Sequence, residues 1–385
     1  MNLHGTLVRG GTSKCWIFDT AQIDRLDLGR DEALLAAFGA EDPCQLDGVG
    51  GATSTTSKAA IVGPSARPDC DIDYTFAQVG IGVRRIEWGS NCGNCATAVG
   101  LYAVQSRLVV PTDPTTVVRI HNTNTGTVAE TAIATPGGVI PFTGSARVPG
   151  VAQPGVPVEL FFLDPAGGTT GHLLPTGRPI DRLRHASLVV RATLVDAGAP
   201  CALLAAEDLG LTGAESPHEL AATVGELIAM RRTAALAMGL VRQHDPINHA
   251  IPKVGIVGAP TAYRTTDGRV VDAGDYDLSV RMLSMHAPHP AIGLTSAVAV
   301  ASAAALPQTL PTLLGRRGSG PNLLRIGTAA GVVTAKIDAG LDGVPPRVAL
   351  SRAARCIATA ELHLPTSERL LRPVTGALGD HARTA

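Results

Sequence analysis

Two alanine-rich segments constrain the fold of this chain more than any other feature. One runs from Asn94 to Gln105 (N-C-A-T-A-V-G-L-Y-A-V-Q) and the other from Thr295 to Ala305 (T-S-A-V-A-V-A-S-A-A-A). Both have helical periodicity, and neither contains a charged residue. A helix that is apolar all round must be covered on every side. The pattern therefore predicts two similar domains, each a curled mixed sheet around a central apolar helix.

Short β-like runs fill much of the remaining chain, and most are bounded by Gly, Pro, Asn or Asp. They are C-W-I-F, A-A-I-V, V-V-R-I, A-S-L-V-V, V-G-I-V and G-V-V-T-A-K-I. Two further helices are predicted over Asp31–Phe38 and Glu219–Met238. Many strands with few helices indicate an α+β class. We place the domain boundary near residue 182, giving 1–182 and 183–385, and expect the tail after Pro365 to fray or to pack back on the first domain.

The composition excludes several classes of protein. The 385 residues are 45% hydrophobic, enough for two ordinary domains with cores of their own. A formal net charge of -1, without blocks of like charge, argues against binding to nucleic acid or to a membrane surface. The N-terminus lacks the basic and then apolar pattern of a signal peptide. Seven scattered cysteines favour reduced thiols, so we expect a cytoplasmic protein.

Two segments rich in glycine and hydroxyl groups could bind an anion. R-G-G-T-S-K (9–14) lacks the spacing of a nucleotide P-loop, and a simple turn is an equally good interpretation. G-G-A-T-S-T-T-S-K (50–58) ends in a lysine that begins a predicted strand, although a solvated loop is the commoner meaning of such a run. The candidate binding residues are Arg9, Thr12, Ser13, Lys14, Thr53, Ser54 and Ser57.

The segment S-N-C-G-N-C (90–95) opens the first apolar helix. Ser90 or Asn91 could cap that helix and leave the Cys92 thiol near its first free N–H groups, where the pKa of a thiol falls. Asn91, Gly93 and Asn94 would offer contacts at the same end. Cys95 is expected on another face as a packing residue. A C-x-x-C disulfide is the alternative, less suited to a chain of this size.

Taken together, these motifs resemble the PrpF-like isomerases, a family of methylaconitate, oxalomesaconate and aconitate Δ-isomerases. The resemblance covers nearly the whole chain in the same order. Besides the three motifs above, it rests on F-L-D-P-A-G-G-T-T-G-H-L-L-P-T-G (162–177), V-D-A-G-A-P (195–200) and R-A-A-R (352–355). The family is in turn similar to diaminopimelate epimerase, which has two pseudo-symmetric domains with the active site between them.

The resemblance implies a 1,3-allylic proton shift in an unsaturated di- or tricarboxylic acid of the aconitate, methylaconitate or oxalomesaconate type. It implies no cofactor and no metal, with Lys58 and Cys92 as the proton-handling residues and a homodimer as one possible assembly. An ordinary amine is neutral in only about one molecule in 2,500 at pH 7, whereas forming a thiolate costs about 2 kcal/mol. On those magnitudes Cys92 is the easier base and Lys58 the easier acid, an order that a desolvated cleft could reverse.

The second half offers three more candidates for substrate binding: His289, Thr295 and Ser296. His286 and His289 could instead bind a metal, but no further ligand is evident nearby. The chain departs from the family pattern at Cys15, Ala199 and Ala330, so the reaction type is better supported than any one substrate. A racemase or epimerase, or a non-catalytic accessory to an aconitase-like enzyme, remain the alternatives.

Overall fold

The computed structural model describes residues 1–89, 91–245, 251–316, 320, 322–338, 340 and 344–364, in which lie nineteen β-strands and seven α-helices. The strands are β1 Asn2–Gly10, β2 Ser13–Asp19, β3 Lys58–Pro64, β4 Ile72–Val79, β5 Ile86–Glu87, β6 Thr115–Asn122, β7 Val128–Ala134, β8 Val156–Leu163, β9 Asp181–His185, β10 Leu188–Ala197, β11 Ala199–Ala205, β12 Lys253–Gly258, β13 Tyr263–Arg264, β14 Val270–Val271, β15 Leu278–Ser284, β16 Ala287–Pro288, β17 Leu323–Thr328, β18 Gly331–Ile337 and β19 Arg347–His363. The helices are α1 Thr20–Ile23, α2 Arg30–Phe38, α3 Gly93–Gln105, α4 Pro217–Ala221, α5 Val224–Ala237, α6 Leu294–Ala305 and α7 Leu310–Leu314.

Eight strands form a first sheet that closes into a barrel. The pairing order is β1, β2, β3, β4, β6, β7, β8 and β19, and β19 pairs again with β1. The β2–β3 and β4–β6 pairs are parallel, and the others are antiparallel. Helix α3 runs inside this barrel and contacts all eight strands. The apolar faces of the strands and the helix therefore cover each other, as the all-apolar helix requires.

Small residues let α3 approach the barrel wall closely. A Cβ added to Gly10 of β1 would lie 2.0 Å from the backbone oxygen of Asn94, and one added to Gly100 of α3 would lie 2.1 Å from Oγ1 of Thr131. Neither position has room for a side chain. Glycine is thus required at these two positions by the close packing of helix and strand.

The second sheet runs from β9 through β10, β11, β12, β15, β17 and β18 to β19, which it shares with the barrel. The β11–β12 and β15–β17 pairs are parallel, so the pattern of parallel and antiparallel pairs follows that of the barrel. Helix α6 packs on this sheet, and residues Leu294–Ser302 are buried except Thr295. On the outer face of the sheet, α5 contacts β9 and β12.

The α+β prediction is confirmed, and the predicted helices occur with one correction. The single helix predicted over Glu219–Met238 is two helices, α4 and α5, separated at Thr223. Thr223 leaves the helical region, with φ of -102° and ψ of 2°, and Val224 and Gly225 follow it. Threonine, valine and glycine all favour the helix weakly, which explains the break at this position.

Two further predictions concern the division and the ends of the chain. The predicted boundary at residue 182 falls in β9, whereas β19, at the far end of the chain, belongs to both sheets. The tail predicted to fray after Pro365 lies outside the described residues. Over the part of the chain that is described, the helices are all too short or too polar to span a lipid bilayer.

Candidate active site

The N-terminus of α3 is the centre of the candidate site. Cys92 is itself the N-cap residue, with extended φ and ψ of -131° and 101°. The sequence predicted a cap at Ser90 or Asn91, and the prediction is wrong for Asn91. The side chain of Asn91 is engaged elsewhere, because its Oδ1 accepts a hydrogen bond of 2.7 Å from Asn122. Ser90 lies outside the described residues. The helix therefore starts one residue after the thiol, and Gly93 is its first residue.

The surroundings of Cys92 favour the protonated thiol. A hydrogen bond with the side chain of Cys95 raises the pKa of the Cys92 thiol well above its usual range, and burial adds to the rise. The charge of Lys58 and the backbone N–H of Cys95 oppose this shift without cancelling it. The prediction of a lowered pKa is therefore wrong, because a neighbouring thiol and an apolar environment outweigh the helix N-terminus.

Cys95 also differs from its predicted orientation. The rotation of 100° per residue applies only to residues within a helix, and Cys92 precedes the helix. The side chain of an N-cap residue folds over the third helical residue, which here is Cys95. Cys95 is 1% exposed and belongs to the core around α3, so it is both a packing residue and a direct neighbour of Cys92.

Lys58 lies at the rim of the barrel, where β3 begins. The alternate residue Ala60 belongs to the core around α3, so Lys58 points to the same inner face. Its Nζ donates a 2.6 Å hydrogen bond to Oε1 of Gln78 on β4 and lies 4.9 Å from the centre of the Phe76 ring. Gln78 is held in turn by a 2.8 Å bond from its Nε2 to the backbone oxygen of Ser57. Lys58 is 9% exposed, and its charge acts on both Cys92 and Cys95.

Part of the first glycine-rich motif meets the helix N-terminus. Asn94, the second residue of α3, donates from Nδ2 to Oγ1 of Thr12 at 3.1 Å and to Oγ of Ser13 at 3.5 Å. Its Oδ1 accepts a 3.1 Å bond from Arg352, a buried residue of the R-A-A-R motif. Burial and the nearby charge of Arg9 lower the pKa of Arg352 to about 10. This network fixes the amide of Asn94 beside Cys92.

Arg9 and Lys14 are placed differently. The Arg9 guanidinium donates to four backbone carbonyls, so its hydrogen-bonding capacity is used within the fold. The acceptors are the oxygens of Gly11, Ala353, Gln153 and Pro154. Lys14 is half-buried in β2, and its backbone N–H donates to the oxygen of Thr55. Neither side chain is shown in contact with Cys92 or Lys58.

The hydroxyl-rich loop before Lys58 contributes less than its composition predicts. Thr53 and Ser54 are exposed in a turn, where the Thr53 hydroxyl lies 2.7 Å from that of Thr56. Ser57 is buried and donates to Oε1 of Gln45 at 2.5 Å. Ser57 is the residue before β3, and its hydroxyl is bound to Gln45, whereas the amine of Lys58 is bound to Gln78. The structure therefore does not bring Thr53, Ser54 and Ser57 together with Cys92.

The N-termini of the two apolar helices meet. A Cβ added to Gly93 would lie 3.0 Å from the Cβ of Leu294, the first residue of α6. Thr295 and Ser296 follow Leu294 in the first turn, Thr295 half-buried and Ser296 3% exposed. Gly198 of the D-A-G-A-P motif approaches the same turn, because a Cβ there would lie 3.4 Å from the backbone oxygen of Thr295. The free N–H groups of both helices are thus directed toward one region.

His289 is half-buried near this junction, whereas His286 is exposed. The Nδ1 of His289 accepts a 2.9 Å hydrogen bond from the backbone N–H of Ala291. Burial, followed by the charges of Lys253 and Lys58, lowers the pKa of His289 to about 4. The ring is therefore neutral near pH 7 and carries its hydrogen on Nε2. Among the residues that the structure describes, no cluster of three or more potential metal ligands occurs.

Lys253 is a residue that the sequence analysis missed. It is half-buried at the start of β12, and burial lowers its pKa, with further lowering by Arg231 and Lys58. A signal was available in the sequence: K-A-A-I-V-G (58–63) and K-V-G-I-V-G (253–258) share the pattern K-x-x-I-V-G. Gln78, which orients Lys58, carries no comparable signal.

A separate cavity lies beside Gly93. It is bounded by the first turn of α3 and by the D-P-A-G-G segment. Its lining residues include Tyr74, Asn91, Asn122, Phe162, Asp164 and Asp196. Lys58 and Cys92 are not among its lining residues. Asn91 therefore faces this cavity and binds Asn122, although it directly precedes the thiol.

Comparison with known proteins gives the family. The family model described as PrpF protein matches residues 1–365. The chain belongs to the PrpF family. Its relatives include the 2-methyl-aconitate isomerase of Cupriavidus necator, with 35% identity over 95% of this chain and 98% of that protein. The (4E)-oxalomesaconate Delta-isomerase of Novosphingobium sp. strain KA1 is 38% identical over 78% of this chain and 80% of that protein.

Solved structures agree with the family assignment. The crystal structure of a methylitaconate-delta-isomerase matches with a TM-score of 0.85 and 31% identity, over 100% of this chain and 99% of that one. A hydroxyproline epimerase from Agrobacterium vitis matches with a TM-score of 0.52 and 13% identity, over 94% of this chain and 92% of that one, which shows a shared fold alone. The predictions of a PrpF-family chain and of an isomerase are confirmed.

Proposed function

We propose that this PrpF-family chain catalyses a 1,3-allylic proton shift in an unsaturated di- or tricarboxylic acid, with Lys58 and Cys92 as the proton-handling residues. The observation that carries the proposal is their placement. Lys58 begins β3 and Cys92 caps α3, 34 residues apart in numbering, yet the charge of Lys58 acts on the Cys92 thiol. The named relatives act on methylaconitate and oxalomesaconate, which supports a substrate of that class.

The protonation state of Cys92 decides how the two roles are divided. Because its thiol is protonated in the free protein, Cys92 can donate a proton to the substrate. Lys58 must first release the proton that gives it its charge. Its amine then removes the proton from the carbon next to a carboxylate, the double bond shifts, and Cys92 protonates the carbon two positions away. The reaction leaves an ammonium and a thiolate side by side, and transfer of one proton from Lys58 to Cys92 restores the starting state.

The dienolate formed between the two steps needs stabilisation of its negative charge. The N-termini of α3 and α6 meet at Gly93 and Leu294, and each presents free N–H groups and the positive end of its dipole. Donors fixed in this way stabilise a developing oxyanion without reorganising. The side chain of Asn94, bound to Thr12, Ser13 and Arg352, holds the first turn of α3 in place.

The proposal includes the division of the chain into two similar halves with the reaction between them. Each half has an apolar helix wrapped by a sheet with the same order of parallel pairs, and the helix N-termini point to one region. Since both proton transfers use side chains of the chain itself, we expect turnover without an added metal ion or nucleotide.

The test is proton NMR of the purified protein in D₂O with methylaconitate, methylitaconate and oxalomesaconate as separate substrates. We expect migration of the double bond in at least one of them, with deuterium entering an allylic carbon. Failure of all three to isomerise or to take up deuterium would contradict the proposed reaction and substrate class. A heat-inactivated sample controls for spontaneous exchange.

A further inference from the structure

Lys58 and Lys253 occupy equivalent places in the two sheets. Each is the first residue of a strand, β3 or β12, that begins K-x-x-I-V-G. Each of these strands is parallel to the strand before it. Cys201 is the register partner of Lys253, and the pairing of Trp16 with Ala59 places Cys15 beside Lys58. The second sheet therefore repeats the local arrangement that presents Lys58.

Both lysines point toward the central helices. In β12, Val257 belongs to the core that contains α6, whereas Val254 and Ile256 belong to the core under α5. Lys253 shares the face of Val257 because side chains alternate along a strand. Its charge acts on His289, and that of Lys58 acts on both Lys253 and His289. The three groups thus lie near enough to interact electrostatically in one region, with Lys253 and His289 supplied by the second half of the chain.

This region has positive charge without a matching acid. Within the described residues, neither Lys58 nor Lys253 forms an ion pair with a carboxylate, and no carboxylate is among the groups that shift the pKa of Lys253. Burial and the nearby cations lower that pKa, so the charge on Lys253 is held at a cost that a bound anion would relieve. The Nε2–H of His289 is a neutral donor beside it.

We propose that Lys253, together with the Nε2–H of His289, binds a substrate carboxylate on the side of the reacting carbons supplied by the second half of the chain. This inference rests on the proposed function and assigns a role that the proton transfers do not require. Lys253 is then a specificity-determining residue: a tricarboxylate has a further carboxylate to place here, whereas a shorter dicarboxylate gives up this contact.

Tricarballylate, the saturated propane-1,2,3-tricarboxylate, is the suitable probe because it has no double bond to shift. Its dissociation constant is measured by calorimetry with the wild-type chain and with Lys253→Met, Lys253→Arg, His289→Asn and Lys336→Met. Lys336 is an exposed lysine paired with Glu159, so its variant is the matched control. Thermal unfolding of each variant verifies that it is folded.

We expect Lys253→Met to weaken tricarballylate binding by about 10- to 100-fold, the range for hydrogen bonds to charged groups. His289→Asn should weaken it less, by about 3- to 30-fold, because it removes a neutral donor. Lys253→Arg should restore part of the affinity, and Lys336→Met should bind as wild type. With the true substrate, Lys253→Met should raise KM more than it lowers kcat. Unchanged tricarballylate binding, or a loss confined to kcat, would overturn this inference alone. Failure of the wild-type chain to bind any polycarboxylate would overturn the proposed function as well.

Discussion

Gly93 and Leu294 are in contact, so that the first residues of the two central helices touch across the molecule. A Cβ on Gly93 would lie 3.0 Å from both Cβ and Cδ1 of Leu294 and 3.3 Å from the ring of Phe162. A side chain at position 93 therefore has no room on the side of Leu294 and Phe162. The separation of the two helix N-termini therefore depends on the absence of a side chain at position 93. The same separation sets the distance between the groups that the two halves direct at a substrate.

Gly93→Val should lower kcat/KM by about 10- to 100-fold, because a displacement of the order of 1 Å is enough to misplace catalytic groups. Gly225→Val is the matched control, since a Cβ at Gly225 in α5 meets no described atom within 4 Å apart from its chain neighbours and its own helix backbone. The test is to measure kcat/KM of both variants by steady-state kinetics and to verify by thermal unfolding that both are folded. Full activity of folded Gly93→Val would show that the contact does not set the geometry of the site.

Removal of the Cys95 thiol should lower the pKa of Cys92. The hydrogen bond with Cys95 is the largest cause of the raised pKa, so Cys95→Ala leaves burial opposed by the charge of Lys58. The rate of alkylation of the Cys92 peptide by iodoacetamide, followed by mass spectrometry against pH, reports this pKa. We expect the profile of Cys95→Ala to move to lower pH. A profile identical to that of the wild-type chain would argue against the contact.

The stability of the chain should fall as the pH is lowered from about 6.5 to about 4, in part because of His289. The pKa of this residue is 6.5 in a model peptide and about 4 in the fold, so the unfolded chain binds more protons between these values. His289→Asn can still accept the bond from Ala291 but cannot take up a proton in this range. Between pH 7 and pH 4.5, the free energy of unfolding measured in urea should fall by about 1–3 kcal/mol less in the variant than in the wild-type chain. An equal loss in both proteins would contradict the assignment.

The sequence allowed the outline of the fold and of the site to be predicted for a physical reason. An uncharged helix such as 94–105 has one stable solution in water, which is complete coverage, and α3 is covered by a closed barrel. Lys58, Cys92 and Asn94 could be identified because each belongs to a short local motif. Cys92 and Asn94 lie at the start of α3, and the charge of Lys58 acts on the Cys92 thiol.

Other features depend on partners that are distant in the sequence. The guanidinium of Arg9 is occupied by carbonyl groups of Gln153, Pro154 and Ala353, and no local pattern predicts those contacts. The prediction for Cys95 failed because its orientation depends on whether the helix begins before or after Cys92. Sequence patterns rarely resolve a shift of one or two residues in the start of a helix. Lys253 was missed because its strand lies 195 positions from the first K-x-x-I-V-G motif, with nothing between them to indicate a repeat.

The most direct test of the central claim is hydrogen exchange into substrate in D₂O by Lys58→Met and Cys92→Ser, compared with the wild-type chain and with Lys336→Met. With Lys58 as base and Cys92 as acid, Cys92→Ser should still exchange the substrate's acidic allylic hydrogen while double-bond migration slows by about 10²- to 10⁴-fold. Lys58→Met should show neither exchange nor migration, and Lys336→Met should behave as wild type. Exchange of that hydrogen at the wild-type rate in folded Lys58→Met would contradict the account.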